Sequence, residues 1–377
     1  MAKQKTTPKS ISSCRVVVKV GTRLLTHATG KLNLGYMEKV TRELADLSNQ
    51  GHEVILVSSG SIGAGRGRLN IDRNPLSIPE KQAIAAVGQG LLIQIYEKLF
   101  AEYGLIVGQI LLTRTDLMSR RRYINACNTV LTLLKLGVIP IINENDSVSV
   151  EELKFGDNDR LSALVAGLSD ANLLVILTDI DGLYNCNPRK YPEATLIPYV
   201  EKIDEKIKAG AEESHDNLAT GGMVTKLQAA EIATNSGVGM YITNGYDPGV
   251  VTRLINGEHI GTYFQPQERY LSRRKRWIAY GQVARGSVTI DKGACNALRF
   301  ENKSLLPVGV VDVEGSFAEG DLITVKDSDG TELGRGLTNF SSEELIWIQK
   351  KSSPDIANLI DRPVAEEVIH RDNMIIY

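Results

Sequence analysis

The chain has 377 residues, room for two or three domains at ~150 residues each, and its 42% hydrophobic and 23% charged residues are ordinary globular usage, which excludes wholesale disorder. With 43 Lys and Arg against 45 Asp and Glu the formal charge is −2, so the broad attraction that a nucleic-acid or anionic-membrane binder needs is missing. The four cysteines (Cys14, Cys127, Cys186 and Cys295) form no C-x-x-C pair, and the five histidines are dispersed, so no metal-ligand spacing is present. Isolated thiols suit a reducing compartment. Met1–Ser13 is polar and unlike a signal peptide, and no apolar run approaches the ~18 residues of a membrane span. A soluble, cytoplasmic protein is expected.

Up to about residue 262, short apolar runs alternate with helical patterns. The predicted strands are Val16–Val20, Val54–Val57, Leu105–Leu112, Val138–Ile142, Leu173–Leu177 and Met240–Thr243. The predicted helices are Tyr36–Gln50, with Met37, Val40, Leu44 and Leu47 on one face, then Lys81–Phe100, Arg120–Leu136, Leu161–Leu168 and Met223–Asn235; Gly51, Gly137 and Gly237 punctuate three of the ends. Fully apolar strands between helices predict an α/β fold, a mainly parallel open sheet sandwiched by helices. Gln265–Arg276 is polar and ends in the basic cluster Arg273–Arg276, which reads as a linker. Beyond it, Gly286–Ile290, Leu306–Val313, Asp321–Val325 and Glu344–Ile348 read as short strands, with a hairpin turn at Asp329-Gly330. The expected domains are 11–264 and a small β-rich unit at 274–377.

Ligands of open parallel sheets bind outside the carboxyl ends of the strands. Those exits carry Lys19-Val20-Gly21-Thr22, Ser58-Ser59-Gly60-Ser61, Asn143-Glu144-Asn145-Asp146, Thr178-Asp179 and Asn244-Gly245. Five small, amide, hydroxyl or acidic exits with one cation, Lys19, make a polar rim. The P-loop and dinucleotide fingerprints are absent. Instead, Ser59–Gly65 and Thr220-Gly221-Gly222-Met223-Val224-Thr225-Lys226 lead into helix starts, where N–H groups and the helix dipole favour anions. One such turn is an ordinary connector; two, with a strand-end lysine, point to phosphate. Gly156-Asp157-Asn158-Asp159 reads either as a helix cap with acids in its first turn or as a carboxylate holding lysines around a phosphate. An EF-hand is excluded, because Leu161 falls where an oxygen ligand should sit.

Lys19-Val-Gly-Thr, Ser59-Gly-Ser-Ile-Gly-Ala-Gly, Asn143-Glu-Asn-Asp146, Gly156-Asp-Asn-Asp-Arg-Leu-Ser and Thr220–Lys226 together resemble the glutamate 5-kinase family of the amino-acid kinase superfamily. The tail, through Ser304-Leu-Leu-Pro-Val-Gly-Val310 to Val368–Asn373, resembles a PUA domain. The resemblance implies ATP- and Mg²⁺-dependent phosphorylation of the side-chain carboxylate of L-glutamate, the first step of proline biosynthesis. It implies that Lys19 and Lys226 contact the phosphates, with Asp159 orienting both lysines. It further implies that Ser59, Asp146 and Asn158 bind glutamate. Thr178, Asp179 and the run Thr220, Gly221, Gly222, Met223, Val224, Thr225 and Lys226 would line the nucleotide site. Without it, Lys226 would read as a solvated helix lysine and Asp146 as a loop Asx turn. Proline as feedback inhibitor, a homo-oligomer, and a link to the next enzyme of proline synthesis through the labile acyl phosphate are also implied. Alternatives are a related kinase acting on N-acetylglutamate or aspartate, and an RNA-binding role for the tail. Residues 274–377 carry 13 Lys and Arg against 16 Asp and Glu, a net −3 that makes a poor reader of RNA backbone.

Overall fold

The computed structural model describes residues 13–27, 29–71, 76–148, 158–188, 190–212, 222–267, 278, 284–351 and 366–377. Two compact units form, one from residues 1–116 and 121–270, the other from 117–120 and 271–377. No helix of the described residues is long and apolar enough to cross a membrane.

In chain order the first unit contains β1 (Arg15–Val20), α1 (Thr22–Leu25), α2 (Leu34–Asn49), β2 (Glu53–Ser58), α3 (Ser61–Leu69), α4 (Ile78–Ala101), β3 (Ile106–Leu112), α5 (Arg114–Met118) and α6 (Arg120–Lys135). Then follow β4 (Val138–Glu144), α7 (Asn158–Leu168), β5 (Leu173–Thr178), β6 (Tyr199–Val200), α8 (Glu205–Glu212), α9 (Met223–Asn235), β7 (Gly239–Asn244), α10 (Val250–Ile255) and β8 (Thr262–Phe264). They build an eight-stranded sheet in the order β3-β4-β2-β1-β5-β7-β8-β6. Every neighbouring pair is parallel except β7 with β8. Central strands buried on both faces explain the unbroken Val, Leu and Ile runs: Val16, Val17 and Val18 are wholly buried, as are Ile55, Leu56 and Val57. Helix α2 buries Met37, Val40, Leu44 and Leu47, as its period predicts, and Asn33 caps it by accepting from the Tyr36 N–H at 3.1 Å. The first unit continues past 264, since the backbone N–H groups of Gln265 and Gln267 donate to Val200 and Thr234.

The register brings the strand ends level. Val20 of β1 pairs with Ser58 of β2 and Leu177 of β5, and Thr178 of β5 pairs with Asn244 of β7. The polar exits therefore share one edge of the sheet.

The second unit holds β9 (Gly286–Ile290), α11 (Lys292–Phe300), β10 (Val310–Gly315), β11 (Leu322–Lys326), β12 (Glu332–Leu337), α12 (Ser342–Ile348) and β13 (Met374–Ile376). Its five strands lie in the order β10-β9-β11-β12-β13 over one core that includes Val288, Ile323, Val325, Phe340 and Ile369. β11 and β12 form an antiparallel hairpin, with Gly330 at a φ of 82° in its turn. Two expectations need correction here. Residues 344–348 are helical, not a strand. Ser341 and Glu344 make a reciprocal capping box, and Leu345 and Ile348, three apart, are buried while Ile346 and Trp347 are exposed. The run from Leu306 starts as a single 3₁₀ turn at Pro307–Gly309, because proline removes the N–H a strand would need, and extends only from Val310. The basic cluster Arg273–Arg276 lies outside the described residues.

Candidate active site

Three elements bring charge together at the carboxyl edge. Near the end of β1, Lys19 points into a nearly closed interior, where the residue is 4% exposed. α7 begins with Asn158 and Asp159, the latter wholly buried, and packs against α9, whose first turn carries Lys226 at 5% exposure. The Lys19 Nζ lies 2.5 Å from Asp159 Oδ1, and the Lys226 Nζ 3.0 Å from Oδ2. One carboxylate thus holds two ammonium groups, and these three groups together sum to one positive charge. The N-termini of α7 and α9 add the positive ends of two helix dipoles. An anion entering here meets fixed cations and pre-aimed N–H groups.

The β2 exit supplies a second cluster. Gly60 turns the chain from strand to helix with a φ of 98°, a left-handed conformation that suits glycine. This places Ser59 against α7. Asn158 Nδ2 lies 2.8 Å from Ser59 Oγ, 2.9 Å from Asn143 Oδ1 and 3.2 Å from the Ser58 carbonyl. With its nitrogen so committed, the buried Asn158 Oδ1 has no hydrogen-bond partner among the described residues. A buried acceptor left open is costly unless a donor arrives. Asp146 stands at the β4 exit, where Ser61 Oγ donates to its Oδ2 at 3.0 Å. Beneath them the Tyr96 hydroxyl, which burial pushes above its ordinary range, bonds Ser58 Oγ at 3.0 Å.

The β5 exit forms a third cluster. Thr178 Oγ1 donates to Asp179 Oδ1 at 3.2 Å, and Arg23 of α1 reaches Asp179 Oδ2 at 2.5 Å. Burial works against the Asp179 charge, but the hydrogen bond and charge of Arg23, with Thr178, overcome it and hold the carboxyl below its ordinary range. Asp179 therefore stays ionised at neutral pH.

The structure brings Lys19, Asp159 and Lys226 into one centre, and Ser59 and Asn158 into direct contact beside it. Thr178 and Asp179 bond each other and Arg23. Gly222 caps α9 and accepts from Thr225 Oγ1 at 2.8 Å, while Met223, Val224 and Thr225 are half-buried in its first turn. Thr220, Gly221, Gly156 and Asp157 lie outside the described residues. Sequence reasoning assigned no role to Ser61, Arg23, Asn143 or Gln89. Asn143 was visible as the first polar residue of its strand exit, and Gln89 as a lone amide on the apolar stripe of a helix.

The Amino acid kinase family matches residues 15–244, and the PUA domain residues 286–360. The glutamate 5-kinase of Caldanaerobacter subterraneus subsp. tengcongensis is 52% identical over 362 residues, covering 96% of this chain and 97% of its own. That of Moorella thermoacetica is 48% identical, with 96% of each chain covered. The solved carbamate kinase of Giardia lamblia bound to AMP-PNP shares the fold, with a TM-score of 0.51 at 19% identity over 68% of this chain and 99% of its own. The chain belongs to the amino acid kinase family, with a PUA domain behind the kinase domain, and stands among the glutamate 5-kinases.

Proposed function

We propose that the protein transfers the γ-phosphoryl group of ATP to the side-chain carboxylate of L-glutamate, giving L-glutamyl 5-phosphate, the first step of proline biosynthesis in the cytoplasm. The observation that carries this reading is the buried Lys19–Asp159–Lys226 centre at the sheet's carboxyl edge. Glutamate 5-kinases about half identical over nearly the whole chain supply the substrate. The AMP-PNP of the carbamate kinase that shares the fold supports a nucleoside triphosphate as donor.

A glutamate side chain is ionised at neutral pH, so the nucleophile needs no general base. Its oxygen forms a bond to the γ-phosphorus as the bond to the β,γ-bridging oxygen breaks, and ADP leaves with that electron pair. No proton changes hands. The difficulty is the approach of two anions and the charge on the phosphoryl oxygens, which the two lysines neutralise in place. Asp159 positions both ammonium groups, and Gly222–Thr225 offer N–H groups to the phosphates. Thr178 and Asp179, fixed by Arg23, line the nucleotide side. Ser59, Asn158 and Asp146 take glutamate, whose ammonium answers both the Asp146 carboxylate and the open Asn158 Oδ1. Among the described residues no group of three His, Cys, Asp or Glu side chains could hold a metal, and Asp159 is occupied by lysines. Mg²⁺ would accordingly be held by the nucleotide phosphates, where it offsets their charge.

Hydroxamate trapping of the acyl phosphate, with glutamate, N-acetylglutamate and aspartate offered in parallel, tests the reading; product from glutamate alone is expected. Turnover with N-acetylglutamate or aspartate and none with glutamate would replace it. Asp146→Asn should raise the glutamate KM about tenfold or more, with the ATP KM little changed, because it weakens a ground-state contact to the ammonium. A collapse of ATP affinity instead would move Asp146 to the nucleotide half. Free proline carries the same α-amino and α-carboxylate groups as glutamate, so as feedback inhibitor it should compete with glutamate. Inhibition independent of glutamate concentration would place proline elsewhere. A homo-oligomer, and hand-over of the labile acyl phosphate to the next enzyme, complete the proposal.

A further inference from the structure

Helix α4 buries a stripe of Ile84, Ala85, Gly88, Leu92, Tyr96 and Phe100, and one amide interrupts it: Gln89, only 8% exposed. A buried amide on an apolar stripe is costly unless its polar atoms are used. Gln89 Oε1 accepts from Asn143 Nδ2 at 2.7 Å, across to β4. Asn143 cannot turn over freely, since its Oδ1 accepts from the Glu144 backbone N–H at 2.9 Å. That oxygen also takes Asn158 Nδ2, which leaves Asn158 Oδ1 as an open acceptor among the described residues. The bonds have one consistent direction. Gln89 and the Glu144 N–H both select the same face of Asn143, and Asn143 selects the face of Asn158.

We propose that Gln89 is a positioning residue for the glutamate half of the site, acting through Asn143 to keep Asn158 Oδ1 turned toward the substrate ammonium. The inference rests on the glutamate-binding reading above and names a residue that touches no reacting atom. Without the Gln89 carbonyl, Asn143 Nδ2 is a buried donor that has lost that acceptor, and of the two contacts that select the amide's face only the Glu144 N–H remains, so Asn143 is held less firmly. A turned Asn143 sets its nitrogen against that of Asn158. Asn158 is then displaced or, at the expense of its bonds to Ser59 Oγ and the Ser58 carbonyl, turned, and its Oδ1 no longer meets the ammonium squarely. The ATP side shares none of these bonds, so the effect should be confined to glutamate.

The test compares steady-state kinetics of the full-length chain with Gln89→Leu, which keeps the bulk and removes the acceptor, and Gln89→Glu, which keeps the acceptor. Gln89→Met serves as a second non-accepting variant should Gln89→Leu fail to fold, and thermal melting shows which variants are folded. The non-accepting variants should raise the glutamate KM at least about tenfold, the loss of one buried hydrogen bond, with kcat and the ATP KM within about threefold. Gln89→Glu should recover most of that loss. In an Asn143→Ala background, Gln89→Leu should add less than about twofold, because the relay is already cut. An unchanged glutamate KM in folded Gln89→Leu or Gln89→Met overturns the proposal, as does a full additional effect in the Asn143→Ala background. A parallel rise in the ATP KM makes the effect merely structural and also overturns it. Asp146→Asn separates the two levels: if it too leaves the glutamate KM unchanged, the glutamate-binding reading itself has failed; if it raises that KM while the Gln89 variants do not, only the relay is wrong.

Discussion

Asp159→Asn is expected to cost both stability and turnover, more than any other single polar change in the site. The carboxylate is wholly buried and contacts two ammonium groups that are themselves about 5% exposed. Removing its charge takes away the carboxylate that both buried cations share. Breaking one buried pair costs about 3–5 kcal/mol, and here two contacts go together, so a loss at the upper end of that range is expected by urea unfolding. kcat should fall at least a hundredfold, because both lysines lose the group that fixes them where charge develops. Lys226→Met separates the two effects. Asp159 remains neutralised by Lys19, so stability should suffer less, while the loss of one preorganised cation still costs about 3 kcal/mol of barrier, roughly a hundredfold in kcat. In the double variant the stability deficit should shrink relative to Asp159→Asn alone, since one of the two buried cations has been removed, whereas activity should not return. Additive stability losses in the double variant would show that Asp159 does not mediate between the lysines.

The parallel sheet was legible because strands buried on both faces need apolar runs, and Val16–Val18 or Leu173–Leu177 can serve little else. The strand exits were legible for the same reason: Lys19, Ser58, Asn143 and Thr178 are the first polar residues the apolar runs reach, and Ser59 follows Ser58 directly. What local pattern alone left open was Asp159, which reads equally as an acid in a helix's first turn. Its partners come from β1 and α9, distant in sequence, and only the resemblance of several motifs at once joined them. Gln89 stayed hidden for a similar reason, because its partner Asn143 is 54 residues away and packing alone pairs them. The misread at 344–348 had a different origin. Ile346, Trp347 and Ile348 are strand-formers by propensity, but the Ser341–Glu344 capping box and the burial of Leu345 with Ile348 outweigh propensity there.

Gly88→Ala should be strongly destabilising although alanine is the better helix former. A Cβ at Gly88 would stand 1.8 Å from the Ser61 carbonyl oxygen and 2.4 Å from the Gly65 nitrogen; one at Gly65 would stand 2.0 Å from the Ile84 carbonyl. All of these neighbours are backbone, so no side chain can swing away and α3 must part from α4. Overpacking of this kind costs about 1–3 kcal/mol and sometimes more, while the gain in helix propensity is about 1 kcal/mol. The clash wins. Gly90, two residues on in the same helix, is exposed and would have nothing within 4 Å of a new Cβ. Gly90→Ala should therefore stabilise by up to about 1 kcal/mol, so the two variants should shift the urea midpoint in opposite directions. A functional consequence follows from the same seam. Ser61, the residue pushed by the new methyl, holds Asp146 at 3.0 Å and follows Gly60 and Ser59 directly. Whatever fraction of Gly88→Ala remains folded should bind glutamate poorly while keeping its ATP KM. Equal midpoint shifts for Gly88→Ala and Gly90→Ala would mean that α3 and α4 do not meet backbone to backbone, and the placement of Ser59, Ser61 and Asp146 would need another cause.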